Sequence, residues 1–402
     1  MVGEGRKPKA VIVGGSIAGI STAHALISAG WDVLVLEKTT SPPSGSPTGA
    51  GLGLNPVSQQ IIQSWISQPQ QFIHNTTFPL TIDQNQVTDS EKKVNWTLTR
   101  DESFNFRASH WADLHGVLYN ALPPQVFLWG HLLISFHVAN EKGTSVIIKA
   151  KVLQTGEIVE IVGDLLVAAD GCLSSIRQKY LPNFKLRYSG YCAWRGVLDF
   201  SEIENSETIT GIRKAYPDLG KCLYFDLASG THSVLYELLN KKLNWIWYVN
   251  QPEPEVKGTS VTTKDPFLNF IYDSDPLERI VWENVVLVGD AAHPTTPHCI
   301  RSTNMSILDA SVLGKCIERW GAEKLELALE EYQSIRLPVT SKQVLHARRL
   351  GRIKQGLVLP DRETFDPKLA RQEDCRDLLL TNTPDFSDVP LSFSSITSSI
   401  SI

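Results

Sequence analysis

The sequence predicts an α/β fold: a doubly wound, Rossmann-like domain with an inserted, mostly antiparallel β-sheet domain and C-terminal helices. Three observations lead there. The first 37 residues spell a strand, a glycine turn, a helix and a second strand. Two later buried strands run into Asp170-Gly171 and Gly289-Asp290. Between those turns lie short apolar and aromatic runs of strand length, and two long helical patterns follow them.

Taken in order, Lys9 to Val13 is an apolar run of the kind a parallel strand buried on both faces requires. Ile17 to Ala29 reads as a helix with small residues on one face, ended by Gly30. Trp31 to Leu36 is the second strand, closed by Glu37. Ser41 to Pro47 is a Pro/Ser/Gly loop, and a β-rich insertion lies around 60–105. Arg107 to Leu122 reads as a helix from the spacing of Trp111, Leu114, Leu118 and Leu122, stopped by Pro123-Pro124. Residues 126–169 read as short strands. Tyr188 to Phe200 and Cys222 to Val249 are strand-rich, with Trp194, Tyr224, Trp245 and Trp247 read as core. Glu283 to Val288 is a further buried strand, and Ser302 to Trp320 and Leu325 to Leu350 are helices. The Ser-rich stretch Thr383 to Ile402 is expected to be a disordered tail. The resulting division is 1–185 and 283–350 for the nucleotide domain, 186–282 for the added sheet, and 351–402 for a C-terminal extension.

Composition narrows the function. A chain of 402 residues with 42% hydrophobic content can bury a large core. A net charge of -5 and a pI of about 6.1 argue against a nucleic-acid partner. The richest basic stretch, Arg348, Arg349, Arg352 and Lys354, reads as a solvated helix face. Six scattered cysteines without a CxxC pair indicate neither a metal site nor a disulfide framework. No apolar run reaches the ~18 residues of a membrane span, and no signal pattern precedes the first strand, so a cytoplasmic location is expected. Composition leaves the oligomeric state open.

Gly14-Gly15-Ser16-Ile17-Ala18-Gly19 stands where a dinucleotide fingerprint belongs, with Ser16 in place of its middle glycine. Gly14 permits the turn, Gly19 permits close helix packing, and amides at the helix start can bind a pyrophosphate. Glu37, followed by Lys38, ends the second strand where an acid meets ribose hydroxyls. This fingerprint alone does not separate FAD from NAD. Asp164 to Arg177 adds an Asp-Gly turn after a buried strand. Asn284 to Pro294 adds a Gly-Asp turn that delivers Asp290 as an acceptor for a chain of hydroxyls.

In these three motifs the chain, over roughly residues 9–350, resembles the flavoprotein aromatic hydroxylases with the para-hydroxybenzoate hydroxylase fold. Thr48 to Pro56, Gly190 to Gly196, and Pro297-His298 with Leu308-Asp309-Ala310 are similar to the 2,6-dihydroxypyridine 3-monooxygenase branch. The resemblance implies an FAD-dependent monooxygenase that takes electrons from NAD(P)H, uses molecular oxygen, and hydroxylates a small aromatic or heteroaromatic ring. It implies FAD contacts from the fingerprint residues, Glu37, Lys38, Gly51, Arg107, Asp170, Asp290, Ser302, Thr303 and Asn304. Pro297, His298 and His293 would lie at the reacting end, either histidine serving as acid or base. Asp309 reads as structural. Two departures stand out. Cys299 and Ser302 occupy places where relatives carry small, glycine-rich residues, and Gln251 to Asn284 is shorter than in relatives. Both keep two alternatives open: a flavin-binding protein without hydroxylase turnover, or a flavin oxidase that releases hydrogen peroxide.

Overall fold

Lys9–Val13 lies inside a six-stranded sheet because both of its edges are paired, with Asp32–Glu37 on one side and Leu165–Ala168 on the other. The structure, a computed structural model, describes residues 6–43, 49–89, 94–139, 145–255 and 266–380. Across the sheet the order is Val281–Trp282, Val285–Leu287, Leu165–Ala168, Lys9–Val13, Asp32–Glu37 and Phe127–Trp129. All pairs are parallel except the first. Parallel pairing brings the carboxyl ends of three neighbouring strands together. They deliver Gly14, Asp170 and the Gly289-Asp290 turn to one edge, where α/β sheets bind ligands. The helices Ile17–Ser28 and Ser302–Trp320 cross tightly over this sheet. A Cβ on Gly314 would lie 2.8 Å from the Ala25 Cβ.

The second large sheet has seven strands, in the order Phe267–Asp273, Arg187–Asp199, Lys242–Asn250, Thr231–Leu238, Cys222–Ala228, Ile82–Asp89 and Val94–Asp101. It is antiparallel except where Cys222–Ala228 meets Ile82–Asp89. Its last two strands come from the 60–105 stretch, which opens with the helices Pro56–Trp65 and Pro69–Thr76. A three-stranded sheet, Gly51–Leu54, Phe106–His110 and Thr77–Leu80, bridges the two large ones.

Two expectations are corrected. The helix read from Arg107 begins only at Trp111, because Phe106–His110 is a strand paired on both edges. Two ladders of backbone hydrogen bonds outweigh the local helical spacing. Arg107 is thereby turned toward Thr77, bonding its Oγ1 at 2.5 Å and its carbonyl at 3.2 Å. The basic stretch near the end of Leu325–Lys354 is not a solvated face. Arg348 pairs with Asp273 and Asp275 at 2.8 Å each, and Lys354 is buried. The extension after residue 354 folds back over this face, so that Phe365, Cys375, Leu378 and Leu380 share a core with Leu350 and Ile353. Most of the Ser41 to Pro47 loop and the whole Thr383 to Ile402 tail lie outside the described residues.

Candidate active site

At the first strand end, Gly14 has φ +106°, and a side chain there would strike the Ala169 carbonyl. A Cβ on Gly19 would collide with the Gly14 carbonyl, so the fingerprint's last glycine is required by the turn it follows. Ser16 gives the helix Ile17–Ser28 no side-chain cap, and no acid occupies its first turn, which suits an anion at its N–H groups. Glu37 accepts the Gly15 N–H at 2.7 Å with one oxygen and the Thr39 N–H at 2.9 Å with the other. Each oxygen keeps a lone pair for a hydroxyl donor. Lys38 is exposed and lies apart from the cavity described next.

A cavity of about 1690 Å³ opens between the two large sheets. It is larger than the roughly 300–1,000 Å³ of ordinary ligand pockets. Its nucleotide-domain wall includes Gly51, Asp290, Pro297, Ser302 and Thr303. Asp290 accepts the Ser302 hydroxyl at 2.7 Å. The helix Ser302–Trp320 starts there with neither a side-chain cap nor an acid in its first turn, so its positive end faces the cavity. Gly51 donates its N–H to Asn244 Oδ1 at 2.7 Å, tying this wall to the seven-stranded sheet. The cavity wall itself offers Gly51, Asp290 and the uncapped Ser302 helix start, which suit a flavin ring and ribityl hydroxyls. The glycine turn at Gly14, the uncapped Ile17 helix start and Glu37 lie outside the cavity lining, at the neighbouring strand ends, and suit the phosphates and ribose of an FAD.

Other predicted cofactor residues support this wall from behind. Asn304 donates to Gly53 O at 2.8 Å and Ile300 O at 2.7 Å, and accepts from Asn55 N at 2.9 Å, so its amide is committed to the frame. Asp170 caps the short helix Ser175–Tyr180, accepting the Ser175 N–H at 2.8 Å, while its second oxygen is buried without a partner. Arg177, the last residue of the Asp-Gly motif, joins the two acidic turns. It donates to Cys172 O in the first and to Ala291 O, at 2.8 Å, in the second.

The opposite wall carries His232, Tyr236, Tyr248, Phe225 and Arg195, and His298 reaches it from the turn Pro297–Cys299. His298 Nδ1 lies 3.3 Å from the Tyr191 hydroxyl, and its ring packs edge-on to Tyr191 and tilted against His232 and Tyr248. Burial, with His232 and Lys354 nearby, holds His298 well below its usual pKa. Burial and Lys354 lower His232 to about 3 against an opposing bond to Gln355. Both imidazoles are therefore neutral, and both have an Nε2 with no partner.

The tautomer of His232 follows from a chain of bonds that begins at a backbone carbonyl. Asn250 Nδ2 donates to Gln355 O at 2.9 Å, which identifies Asn250 Oδ1 as the acceptor of Gln355 Nε2 at 3.0 Å. Gln355 Oε1 must then accept from His232 Nδ1–H at 2.9 Å. His232 Nε2 is left as a lone-pair acceptor. Arg195 forms no salt bridge among the described residues, and its Nε is buried without a partner.

Three readings change. His293 is turned away from the cavity and bonds Asp309 at 2.6 Å, so it is not placed to move a proton there. Cys299 is buried in the second core, its thiol pushed up to about 12 by burial, and does not crowd the cavity. Its neighbour Ile300 lines the cavity instead, in the left-handed conformation at φ 54°, an outlier for a β-branched residue. Of the aromatics read as core, none lines the cavity and Tyr224 is buried, but Trp247 is exposed; the cavity is lined instead by aromatics that include Phe225, Tyr236 and Tyr248. Period-2 alternation on Thr231–Leu238 and Lys242–Asn250 was the available signal, and it groups His232 with Tyr236 and Ile246 with Tyr248.

No family model matches the chain. It is 31% identical over 209 residues to the aurachin C monooxygenase/isomerase of Stigmatella aurantiaca, a match covering 49% of this chain and about half, 53%, of that protein. It is 25% identical over 357 residues to the 6-hydroxynicotinate 3-monooxygenase of Pseudomonas fluorescens, covering 84% of this chain and 89% of the relative. In fold it is similar to HpxO of Klebsiella pneumoniae complexed with FAD and uric acid. The TM-score is 0.69 at 21% identity, over 87% of this chain and 89% of that one. Over most of its length, therefore, the chain is a homologue of the FAD-dependent aromatic hydroxylases and is built on their fold.

Proposed function

We propose that the chain hydroxylates a small hydroxylated aromatic or heteroaromatic ring, with FAD as cofactor, NAD(P)H as electron donor and molecular oxygen as co-substrate. The observation that carries this reading is one cavity with two unlike walls. One wall presents glycine backbone, Asp290 and an uncapped helix start. The other presents aromatic rings, Arg195 and two neutral imidazoles. When bound, FAD supplies the redox and oxygen chemistry. The chain's own residues hold and orient. Gly14 to Gly19 and Glu37 seat the adenosine half, and Asp290 with Ser302 takes the ribityl hydroxyls. The start of Ser302–Trp320 stabilises negative charge at the ring edge. His232 Nε2 accepts from a substrate O–H or N–H, and Arg195 pairs with an anionic oxygen. Tyr236 and Tyr248 flank the ring and exclude water.

Among the described residues no group of His, Cys, Asp and Glu could hold a metal, and no helix is long and apolar enough to cross a membrane. A cytoplasmic location is part of the proposal. The test is a screen of phenols and hydroxypyridines for accelerated NAD(P)H oxidation, with product and hydrogen peroxide measured together. Hydroxylated product in proportion to NAD(P)H consumed supports the reading. Peroxide alone points to an oxidase, and FAD retention without any oxidation points to a binding protein.

A further inference from the structure

Lys354 is a buried charge that the function above does not use. It ends the helix Leu325–Lys354 and is 1% exposed. Its ammonium sits 3.0 Å from the centroid of the Phe225 ring, and Phe225 lines the cavity. It makes no hydrogen bond, although an ammonium carries three donors and its desolvation is expensive. Three residues earlier, on the same helix face, Gly351 presses against the cavity wall. A Cβ there would lie 2.5 Å from the Tyr191 hydroxyl and 2.8 Å from His298 Nδ1. Ammonium, imidazoles and aromatic rings thus form one layer behind the substrate space.

The charged and titratable groups around Lys354 come from four other elements. Ile82–Asp89 contributes Asp83, fully buried, with Asp101 opposite it on the next strand. One Asp83 oxygen accepts the Leu380 N–H at 2.9 Å, and the other has no partner. Thr231–Leu238 contributes His232, and Pro297–Cys299 contributes His298 and Cys299. Burial draws Lys354 down from its usual value while Asp83 and Cys299 oppose it, and burial pushes Asp83 up while Lys354 opposes it. With His232 and His298 neutral, Lys354 is the group of this layer able to carry positive charge, and drawn down to about 7 it does so below that pH.

We propose that Lys354 is a positioning residue whose ammonium, acting through the Phe225 ring, makes the back wall electropositive and so lets the cavity hold a hydroxyarene as its anion. The proposal rests on the reading that the cavity takes a hydroxyaromatic ring. Ionisation raises the electron density of such a ring, which oxygen insertion exploits. At an effective dielectric of about 20, a unit charge one ring thickness beyond the substrate changes an ionisation constant on the order of tenfold or more.

The FAD-loaded protein is titrated across a pH series with 4-nitrophenol, whose anion is visible by absorbance, in the parent, Lys354→Met and Lys354→Met/Asp83→Asn. The bound phenol is expected to ionise at lower pH than free 4-nitrophenol in the parent. It should ionise about tenfold less readily in both variants. The double variant leaves no lone buried carboxylate, so it carries the test if the single variant fails to fold. An ionisation constant unchanged within twofold in the variants, or a parent that binds no nitrophenolate, overturns the proposal. Hydroxyarene-stimulated NAD(P)H oxidation without a Lys354-dependent shift sinks this inference alone. A clear shift in a protein that no hydroxyarene stimulates sinks the hydroxylase reading alone.

Discussion

Asp309 Oδ2 and His293 Nε2 meet at 2.6 Å in the interior, and this contact removes His293 from the substrate space. The same carboxylate accepts the Gly289 N–H at 2.8 Å and Arg336 Nε at 2.7 Å. Burial alone would raise its pKa. His293, Arg336 and the amide reverse that and bring it to about 2. Asp309→Ala would strand a fully buried Arg336 and release the Gly289-Asp290 turn. The expected cost is about 3–5 kcal/mol, the range for breaking a buried pair. Asp290→Ala should leave the FAD-free protein nearly as stable as the parent and loosen FAD. Denaturant unfolding of both FAD-free variants checks this, and similar losses in the two would refute the division of labour.

Glu37 tests the adenosine end. Its oxygens hold the Gly15 and Thr39 amides, and in the proposed site they would accept the ribose hydroxyls. Glu37→Ala removes charge-assisted hydrogen bonds, each about 1.5–3 kcal/mol, so FAD affinity should fall roughly tenfold to a hundredfold. Glu37→Gln should fall less. Fluorescence titration with FAD reads the change, and undiminished affinity in the Ala variant would remove Glu37 from the site.

One substitution should act with opposite signs at two glycines. Gly19→Ala puts a methyl into the Gly14 carbonyl and should abolish FAD retention or folding. Gly116 lies within the helix Trp111–Asn120, and a Cβ added there would meet only open space. Gly116→Ala should therefore stabilise by about 0.5–1 kcal/mol through lower unfolded-chain entropy. Thermal melts of the two variants decide it.

Acid should destabilise the protein earlier than its carboxylates predict. His232 and His298 are held neutral by burial, and His24, His110, His115 and His346 are displaced in the same direction. Below a pH of about 6.5 the unfolded chain binds protons that the folded chain refuses, so stability falls as pH falls. Each such histidine contributes up to about 1.4 kcal/mol per pH unit, and for His232 the loss continues toward pH 3. Asp83, raised by burial, works in the opposite direction over part of this range. Asp309 loses its contribution only as pH falls from its unfolded value through about 2. Unfolding free energies measured from pH 7.5 to pH 5 should decline steadily, and a flat profile would contradict neutral buried histidines.

The sequence by itself determined the nucleotide half. Val11, Leu166 and Val286 announce buried parallel strands through uninterrupted apolar runs, and Gly14, Gly171 and Gly289 mark turns that demand positive φ. Those are local requirements, written in consecutive residues, so the strand ends and their acids could be read directly. Facing and cover were decided elsewhere. Arg107 left its expected helix because two strands claimed its backbone, and His293 and His298, five residues apart, point into different environments. Lys354 passed for a solvated charge because the segment that covers it comes later in the chain. Spacing tells which residues share a face, but what packs against that face depends on contacts between residues as distant as Asp83 and Leu380. Only the tertiary structure decides those contacts, and with them which polar groups are buried, neutral or paired.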